Sequence, residues 1–179
     1  MNPATGKRAR IDQYRLRDNY TRFFLRYIAP RLEEIEAGTF SFASTDLLPG
    51  WDAMMGLQFE NLVLNNFRAL VPHLNLEGRL VVSAAPYRCT NAAKGGGVQI
   101  DLLVQTQGTA YIVEVKRARG ELGMEVASQI EQKAERLPVR SGVAIRTALV
   151  YDGRLTRPLA SCDAIDFLIP AERLLGLEE

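Results

Sequence analysis

Hydrophobic and polar residues alternate in two short runs within residues 98–116, which is the pattern of β-strands. Both runs are rich in Val, Ile, Leu and Tyr, and Gln107 and Gly108 lie between them. Successive side chains of a strand point to opposite faces of the sheet, and a glycine provides the positive φ that tight turns need. The pattern predicts a β-hairpin with its tip at Gln107 and Gly108, in which antiparallel pairing places Val104 opposite Tyr111.

Three other stretches have the apolar periodicity of α-helices: residues 17–37, 51–70 and 120–137. Pro30 interrupts the first stretch, and Pro72 and Pro138 close the second and the third, because the residue before a proline is disfavoured in the helical conformation. Residues 40–50 are rich in turn-forming residues and predict a connector.

Three short apolar runs predict further strands: residues 79–84, 143–151 and 164–169. Residues 85–97, with Pro86 and three consecutive glycines, predict a long loop, and Pro170 is expected to begin a short terminal helix. The order of elements predicts an α/β core over residues 51–179. It also predicts a basic N-terminal segment, a helix and a connector over residues 1–50.

The predicted hairpin brings charged side chains onto one face. Asp101 is expected opposite Glu114, and Lys116 is the next residue on that face. Like charges at such positions, with Cβ atoms roughly 4.5–5.5 Å apart, repel each other and destabilise the sheet. A divalent cation would turn this repulsion into a binding site. The alternative is two acids on a solvent-exposed strand, although Leu103 and Ile112 share their face and predict that it is partly buried.

A single acid on one strand followed by Glu-x-Lys on the next resembles the PD-(D/E)XK nuclease superfamily. The core of that family runs helix, three strands, helix and strand, often with an acid on the first helix and a Gln on the second. Five residues match in order and spacing: Glu60, Asp101, Glu114, Lys116 and Gln129. Ile100 stands where the family often has proline, which changes packing and not ligation. The resemblance implies a restriction-endonuclease-like core with a central mixed sheet flanked by helices, preceded here by an N-terminal helical segment.

The resemblance also implies a Mg²⁺ site, for which Mn²⁺ can substitute. Mg²⁺ prefers oxygen ligands and keeps several waters, so few protein ligands suffice. Asp101 and Glu114 would supply carboxylates, the carbonyl of Val115 a third ligand, and Glu60 an outer or second-metal ligand. Alternatively, Glu60 is a helix-border residue that caps a loop amide. Lys116 would orient the attacking water and stabilise charge on the scissile phosphate, or it would only form a salt bridge with one of the acids.

Three further residues are candidates for the same site. Gln129 is predicted at the border of the buried stripe of its helix, where its amide would hold a water or a phosphate, or would simply face solvent. Arg117 and Arg119 follow the Glu-x-Lys strand and would contact backbone phosphates of DNA. Alternatively, both are solvated loop residues.

A second resemblance covers the front of the chain. Residues 14–38, YRLRDNYTRFFLRYIAPRLEEIEAG, together with residues 56–60, GLQFE, and the hairpin resemble the C-terminal domain of a family of archaeal and bacterial P-loop ATPases. A nucleotide-binding domain and a winged helix precede that domain. No Gly-x-x-x-x-Gly-Lys-Ser/Thr loop occurs in this chain. The resemblance therefore implies P-loop ATPase and winged-helix partners, either in a longer form of the protein or in another chain.

Charge and composition favour a cytoplasmic protein. The net charge of the 179 residues is only +1, but residues 1–31 carry eight Lys and Arg against two Asp. That excess predicts a DNA contact or an ordinary solvated helix face. Cys89 and Cys162 show no metal-binding spacing and are expected to be free thiols, and the single histidine, His73, argues against zinc sites rich in histidine. No apolar run reaches the ~18 residues that span a bilayer, so no membrane partner is expected.

Together these patterns predict a Mg²⁺-dependent DNA endonuclease or phosphodiesterase that is part or partner of a P-loop ATPase. Self-association is left open. The alternative is a catalytically inactive module with the same fold, which binds DNA or docks in an ATPase assembly, because a fold alone does not determine a function.

Overall fold

The computed structural model contains a five-stranded mixed sheet flanked by helices, and it describes residues 2–7, 15–41, 44–45, 48–90, 97–174 and 176. The strands lie side by side in chain order: β1 (Ser83–Cys89), β2 (Val98–Gln105), β3 (Thr109–Leu122), β4 (Ala144–Leu155) and β5 (Phe167–Pro170). Pairing is antiparallel from β1 to β3 and parallel from β3 to β5. The predicted α/β fold class is confirmed.

The N-terminal helical segment changes its geometry around Pro30. It consists of α1 (Asn19–Phe23), a π-helix (Phe24–Ile28), a 3-10 helix (Ala29–Arg31) and α2 (Leu32–Glu36). Asp18 caps the segment by accepting a hydrogen bond of 2.5 Å from the Thr21 N–H. Proline has no N–H to donate, so the hydrogen-bond ladder cannot keep a uniform α-helical step through residue 30. The predicted helix with an interruption at Pro30 is confirmed.

Helices cover both faces of the sheet. On one face lie α3 (Trp51–Asn65) and α4 (Phe67–His73), and on the other lie α5 (Met124–Arg136) and α6 (Arg157–Ala160). The last helix, α7 (Ala171–Leu174), follows β5 and packs on the face that α3 covers. Helix, three strands, helix and strand therefore follow one another as predicted.

Aromatic side chains hold the N-terminal segment on the core. The rings of Phe23 and Tyr27 pack against Trp51 at the start of α3, with centroid distances of 6.3 and 5.8 Å. The Tyr27 hydroxyl also donates a hydrogen bond to the Pro49 carbonyl. Trp51 therefore anchors the N-terminal segment to α3.

The hairpin register is as predicted. Val104 pairs with Tyr111 and Leu102 with Val113, so β2 and β3 turn at residues 107–108. Continuation of this register places Asp101 opposite Glu114. Gly108 does not adopt the positive φ that was expected at the tip.

Two strand boundaries differ from the prediction. The first strand is Ser83–Cys89 and not residues 79–84, because Ala85 and Tyr87 continue the pairing with β2 on either side of Pro86. The helix predicted from residue 120 begins at Met124, because Leu122 still pairs with Leu155 of β4. In both cases strand pairing across the sheet outweighs the local pattern.

The helix predicted over residues 51–70 is also divided. The backbone leaves the helical conformation at Asn66, where φ is −112° and ψ is 33°, and Pro72 lies within α4 and does not end it. The Leu62 carbonyl accepts from both the backbone N–H and the side-chain amide of Asn66, which fixes the end of α3 at this residue.

Two simpler expectations can be compared with the structure. Cys89 and Cys162 are both free thiols, as predicted. Among the described residues, no helix has both the length and the apolar character that a membrane span requires.

Candidate active site

A β-bulge in β2 presents Asp101. Two residues of β2, Asp101 and Leu102, lie opposite Pro86 of β1, since the pairs on either side are Tyr87 with Ile100 and Ala85 with Leu103. Proline donates no hydrogen bond, so the ladder is already interrupted at this point and tolerates the extra residue. The bulge lets Asp101 line a cleft while Leu102 stays in the core beneath α3.

The cleft has a volume of about 360 Å³ and lies between the sheet and α5. Asp101 of β2 and Glu114 and Lys116 of β3 form its sheet side. The start of β2 contributes residues 97–99. Helix α5 contributes four polar side chains: Gln129, Gln132, Lys133 and Arg136. Four of the five residues that match the nuclease pattern therefore lie in one cleft.

Glu114 is the most buried charged residue of this cleft. The residue is 1% exposed, and its two oxygens are held by two lysines. Lys116 Nζ lies 2.8 Å from Oε1, and Lys133 Nζ pairs with Oε2. A buried carboxylate without a cationic partner would strongly destabilise the fold. The two ammonium groups therefore engage both oxygens of Glu114 and fix the position of its side chain.

Asp101 lies in a less favourable electrostatic environment. Burial, followed by the negative charge of Glu114, raises the pKa of Asp101 from 3.8 to about 6. The Val115 N–H donates a hydrogen bond of 2.9 Å to Asp101 Oδ2, and this contact and Lys133 oppose the rise. No described residue donates a hydrogen bond to Oδ1. Asp101 Oδ1 is therefore available to a cation, and it lies near the negative charge of Glu114.

Glu60 lies outside the lining of the cleft. It is half-buried on α3 and forms an ion pair with Arg15 of the N-terminal segment. Arg15 also donates to the Asn61 side chain, and its Nη2 is buried without a hydrogen-bond partner among the described residues. The charge of Glu60 still reaches Asp101, whose pKa it raises slightly. Arg15 thus neutralises the acid that the family resemblance assigns to a metal.

Arg117 and Arg119 are also directed away from the cleft. Arg119 Nε lies 2.7 Å from Asp52 Oδ1, and Arg117 Nε lies 3.1 Å from Asp152 Oδ2. These contacts join the far part of β3 to the start of α3 and to β4. Their proposed contact with DNA phosphates stays a prediction, and it would have to compete with these ion pairs.

The roles of two further site residues, Gln129 and Val115, stay predictions. Gln129 is exposed and lines the cleft, so its amide can reach a ligand there or remain hydrated. Val115 has a buried side chain on the opposite face of the sheet, and its N–H serves Asp101. The role of its carbonyl as a metal ligand stays a prediction.

Lys133 and Arg136 are cleft residues that the sequence interpretation missed. They follow Gln129 at spacings of four and seven residues, which place all three on one side of α5. The polar face of this helix was therefore readable from the same periodicity that revealed its apolar face. The sequence did not reveal the ion-pair partner of Lys133, because only the fold brings Lys133 to Glu114.

The donor set suits a hard divalent cation. Asp101 and Glu114 supply carboxylate oxygens from adjacent strands, and Mg²⁺ completes such a set with water. Within the described ranges, no group of three or more His, Cys, Asp or Glu side chains could hold a metal ion. A metal here would therefore depend on two side chains, a carbonyl and water, which is enough for Mg²⁺ and too few for a structural zinc site.

The described arginines of the N-terminal segment contact their own chain. Each donates to a neighbouring group: Arg15 to Glu60 and Asn61, Arg17 to Asn65, Arg22 to the Leu16 carbonyl, Arg26 to the Pro49 carbonyl and Arg31 to the Tyr27 carbonyl. Arg8 and Arg10 lie outside the described residues. Arg15 and Arg17 therefore fasten this segment to α3, whereas the other three arginines donate to carbonyls within residues 16–49.

The comparisons with known proteins add little. No protein-family profile and no curated protein sequence matches the chain. The crystal structure of a protein of unknown function, AF1548, is similar with a TM-score of 0.40 and 14% identity over 62% of this chain and 59% of that one. The crystal structure of a repair endonuclease from Pyrococcus abyssi is similar with a TM-score of 0.39 and 17% identity over 73% of this chain. The chain spans 47% of the length of that endonuclease. Neither likeness assigns an activity to this chain.

Proposed function

We propose that the chain hydrolyses phosphodiester bonds of DNA with the help of a bound Mg²⁺. One observation carries the proposal: Asp101, Glu114 and Lys116 converge in a single cleft, on adjacent strands, in the order of the PD-(D/E)XK pattern. The two acids on adjacent strands repel each other, and a bound cation would relieve that repulsion. Hydrolysis of a phosphodiester uses all three.

Each residue of the set has a chemical role in this proposal. Asp101 and Glu114 hold the metal ion, which when bound supplies Lewis-acid charge and lowers the pKa of a bound water. Lys116, fixed 2.8 Å from Glu114, directs its ammonium toward the attacking water and the charge that develops on the phosphate. Gln129 lies across the cleft on α5 and can hold a phosphate oxygen or that water.

The charge of the cleft supports a polyanionic substrate. Its acids, Asp101 and Glu114, are outnumbered by Lys116, Lys133 and Arg136. Bound Mg²⁺ would make the balance more positive, and a nuclease must neutralise phosphate charge near its metal. DNA is therefore the proposed substrate class.

A cleavage assay with two matched variants tests the proposal. Purified wild type is incubated with Mg²⁺ or Mn²⁺ and with duplex, single-stranded and branched DNA, and slow cleavage that Mn²⁺ enhances is expected. Asp101→Asn should abolish it, because the variant loses a ligand charge but keeps an acceptor for the Val115 N–H. Glu121→Gln, which changes an exposed acid at the far end of β3 outside the cleft, should cleave like wild type. If no DNA form is cleaved by the wild type, even with an ATPase partner added, the proposal fails.

One observation favours the alternative of a non-catalytic module. Both oxygens of Glu114 are already engaged by lysines, an arrangement that stabilises the fold without a metal. In that case the domain would bind DNA or dock with a P-loop ATPase, and the ATPase association is itself a proposal. Wild type that binds DNA with an affinity unaffected by Mg²⁺, and that cleaves none of the substrates, would support the module.

A further inference from the structure

Lys133 occupies the coordination space of the proposed metal site. Its ammonium pairs with Glu114 Oε2, while Lys116 pairs with Oε1 of the same carboxylate. A divalent cation shared by Asp101 and Glu114 needs one of these two oxygens. Because an ammonium group and a divalent cation at one oxygen repel each other, binding of the metal favours release of a lysine.

The surroundings of the two lysines indicate which of them yields. Lys116 follows Glu114 by two residues on β3, so the sheet itself fixes the spacing of the pair. Lys133 approaches from the last turn of α5, which ends at Arg136, so its contact with Glu114 joins two separate elements. Its side chain is 22% exposed against 32% for Lys116, so the attachment of the two lysines distinguishes them and their exposure does not. A lysine has a flexible four-carbon stem and three rotatable donors, so Lys133 can turn to water without a change in the backbone.

We propose that Lys133 is a positioning residue that acts as an exchangeable cation at the metal site. It holds the Glu114 side chain in place when no divalent ion is bound, and it leaves Oε2 when one binds. The inference rests on the proposed metal site but not on DNA cleavage. Its consequence is that Lys133 lowers the affinity for divalent ions, although it lies among the residues that would serve them.

Calorimetric titration of the full chain with Mn²⁺, in the absence of DNA, tests this exchange. Lys133→Met should bind Mn²⁺ roughly tenfold more tightly than wild type, since the lost competitor is worth about one charge-assisted hydrogen bond. Lys133→Arg, which keeps a cation near Glu114, should remain close to the wild-type affinity. Lys133→Gln, which keeps a neutral donor, replaces the methionine variant if the latter does not fold.

A control separates exchange from a general effect of charge. Arg136→Met removes a positive charge from the same cleft, but no contact of Arg136 with Glu114 is present. It should tighten binding by less than about twofold, as expected for a distant and partly screened charge. Equal tightening by Arg136→Met and Lys133→Met would overturn the inference, and so would an unchanged or weaker affinity of Lys133→Met.

The outcomes for the inference and for the proposed function are separable. Tighter Mn²⁺ binding by Lys133→Met, in a protein that cleaves no DNA, supports exchange and refutes the nuclease. Cleavage by wild type together with an unchanged affinity of Lys133→Met supports the nuclease and refutes exchange. Absence of Mn²⁺ binding in both wild type and Lys133→Met overturns the exchange itself.

Discussion

Asp101→Asn should raise the free energy of unfolding at neutral pH and leave it nearly unchanged at pH 4. In the folded chain the pKa of Asp101 is raised from 3.8 to about 6, first by burial and then by Glu114. Between these pH values the unfolded chain releases the proton that the folded chain keeps. The free energy of unfolding therefore falls as pH rises from about 4 to 6, and above pH 6 the penalty is constant.

The size of the effect follows from the shift. A rise of the pKa from 3.8 to about 6 corresponds to about 3 kcal/mol at neutral pH. Asparagine cannot ionise and still accepts a hydrogen bond from the Val115 N–H. The variant should therefore be more stable than wild type at pH 7.5 by up to about 3 kcal/mol, and nearly equal to it at pH 4.

Urea unfolding of both proteins at half-unit steps between pH 4 and 7.5, without divalent ions, measures this difference. Asp166→Asn is a control that should stay flat over this range. Burial raises the pKa of Asp166, but hydrogen bonds from Thr147 and Arg146 outweigh it and lower the pKa from 3.8, so wild type should lose stability relative to that variant only as pH falls below about 4. A difference between wild type and Asp101→Asn that stays flat from pH 4 to 7.5 would refute the reasoning.

Three further predictions concern the metal, Arg15 and the basic terminus. Millimolar Mg²⁺ or Mn²⁺ should raise the melting temperature of wild type, because the ion binds only the folded state. Asp101→Asn should lose most of this rise. An unchanged melting temperature of wild type would contradict the metal site. Arg15→Ala should lower the free energy of unfolding by roughly 1–3 kcal/mol in urea titrations, because it leaves the half-buried Glu60 without its partner. Arg17→Ala, which removes an exposed contact, should lower it by less than about 0.5 kcal/mol. Charge reversal at Arg8 and Arg10 should flatten the salt dependence of DNA binding in fluorescence anisotropy, and an unchanged slope would remove the terminus from the interface.

The hairpin was predictable because its turn residues mark the tip between two apolar runs. Pairing about residues 107–108 gives Val104 opposite Tyr111 and Leu102 opposite Val113, which is the pairing that the structure has. The same pairing brings Asp101 and Glu114 to one cleft. For these residues a local pattern was enough.

The bulge was not predictable from the same signals. Local propensity predicts a loop at Pro86, because proline is disfavoured within strands. Its position inside β1 depends on the extra residue in β2. The end of β3 was missed for a similar reason, since pairing of Leu122 with β4 extends the strand beyond the local pattern. Non-local pairing decided both boundaries.

Partners of charged residues were the least predictable part of the site. Lys133 and Arg15 lie 19 and 45 residues from the acids they contact, and neither spacing has a local signature. The family resemblance placed Glu60 near a metal, but it could not reveal that Arg15 neutralises it. Contacts of this kind come from packing of separate elements.

The central claim is that Lys116 assists hydrolysis in the cleft. The most direct test is the single-turnover rate of DNA cleavage with saturating Mn²⁺ for wild type and Lys116→Ala, with Arg79→Ala as an exposed control outside the cleft. The account predicts a rate at least about 10²-fold lower for Lys116→Ala at saturating Mn²⁺, with DNA binding nearly unchanged, because stabilisation of the transition state is lost. Equal cleavage rates for wild type and Lys116→Ala, or no cleavage by either, would contradict it.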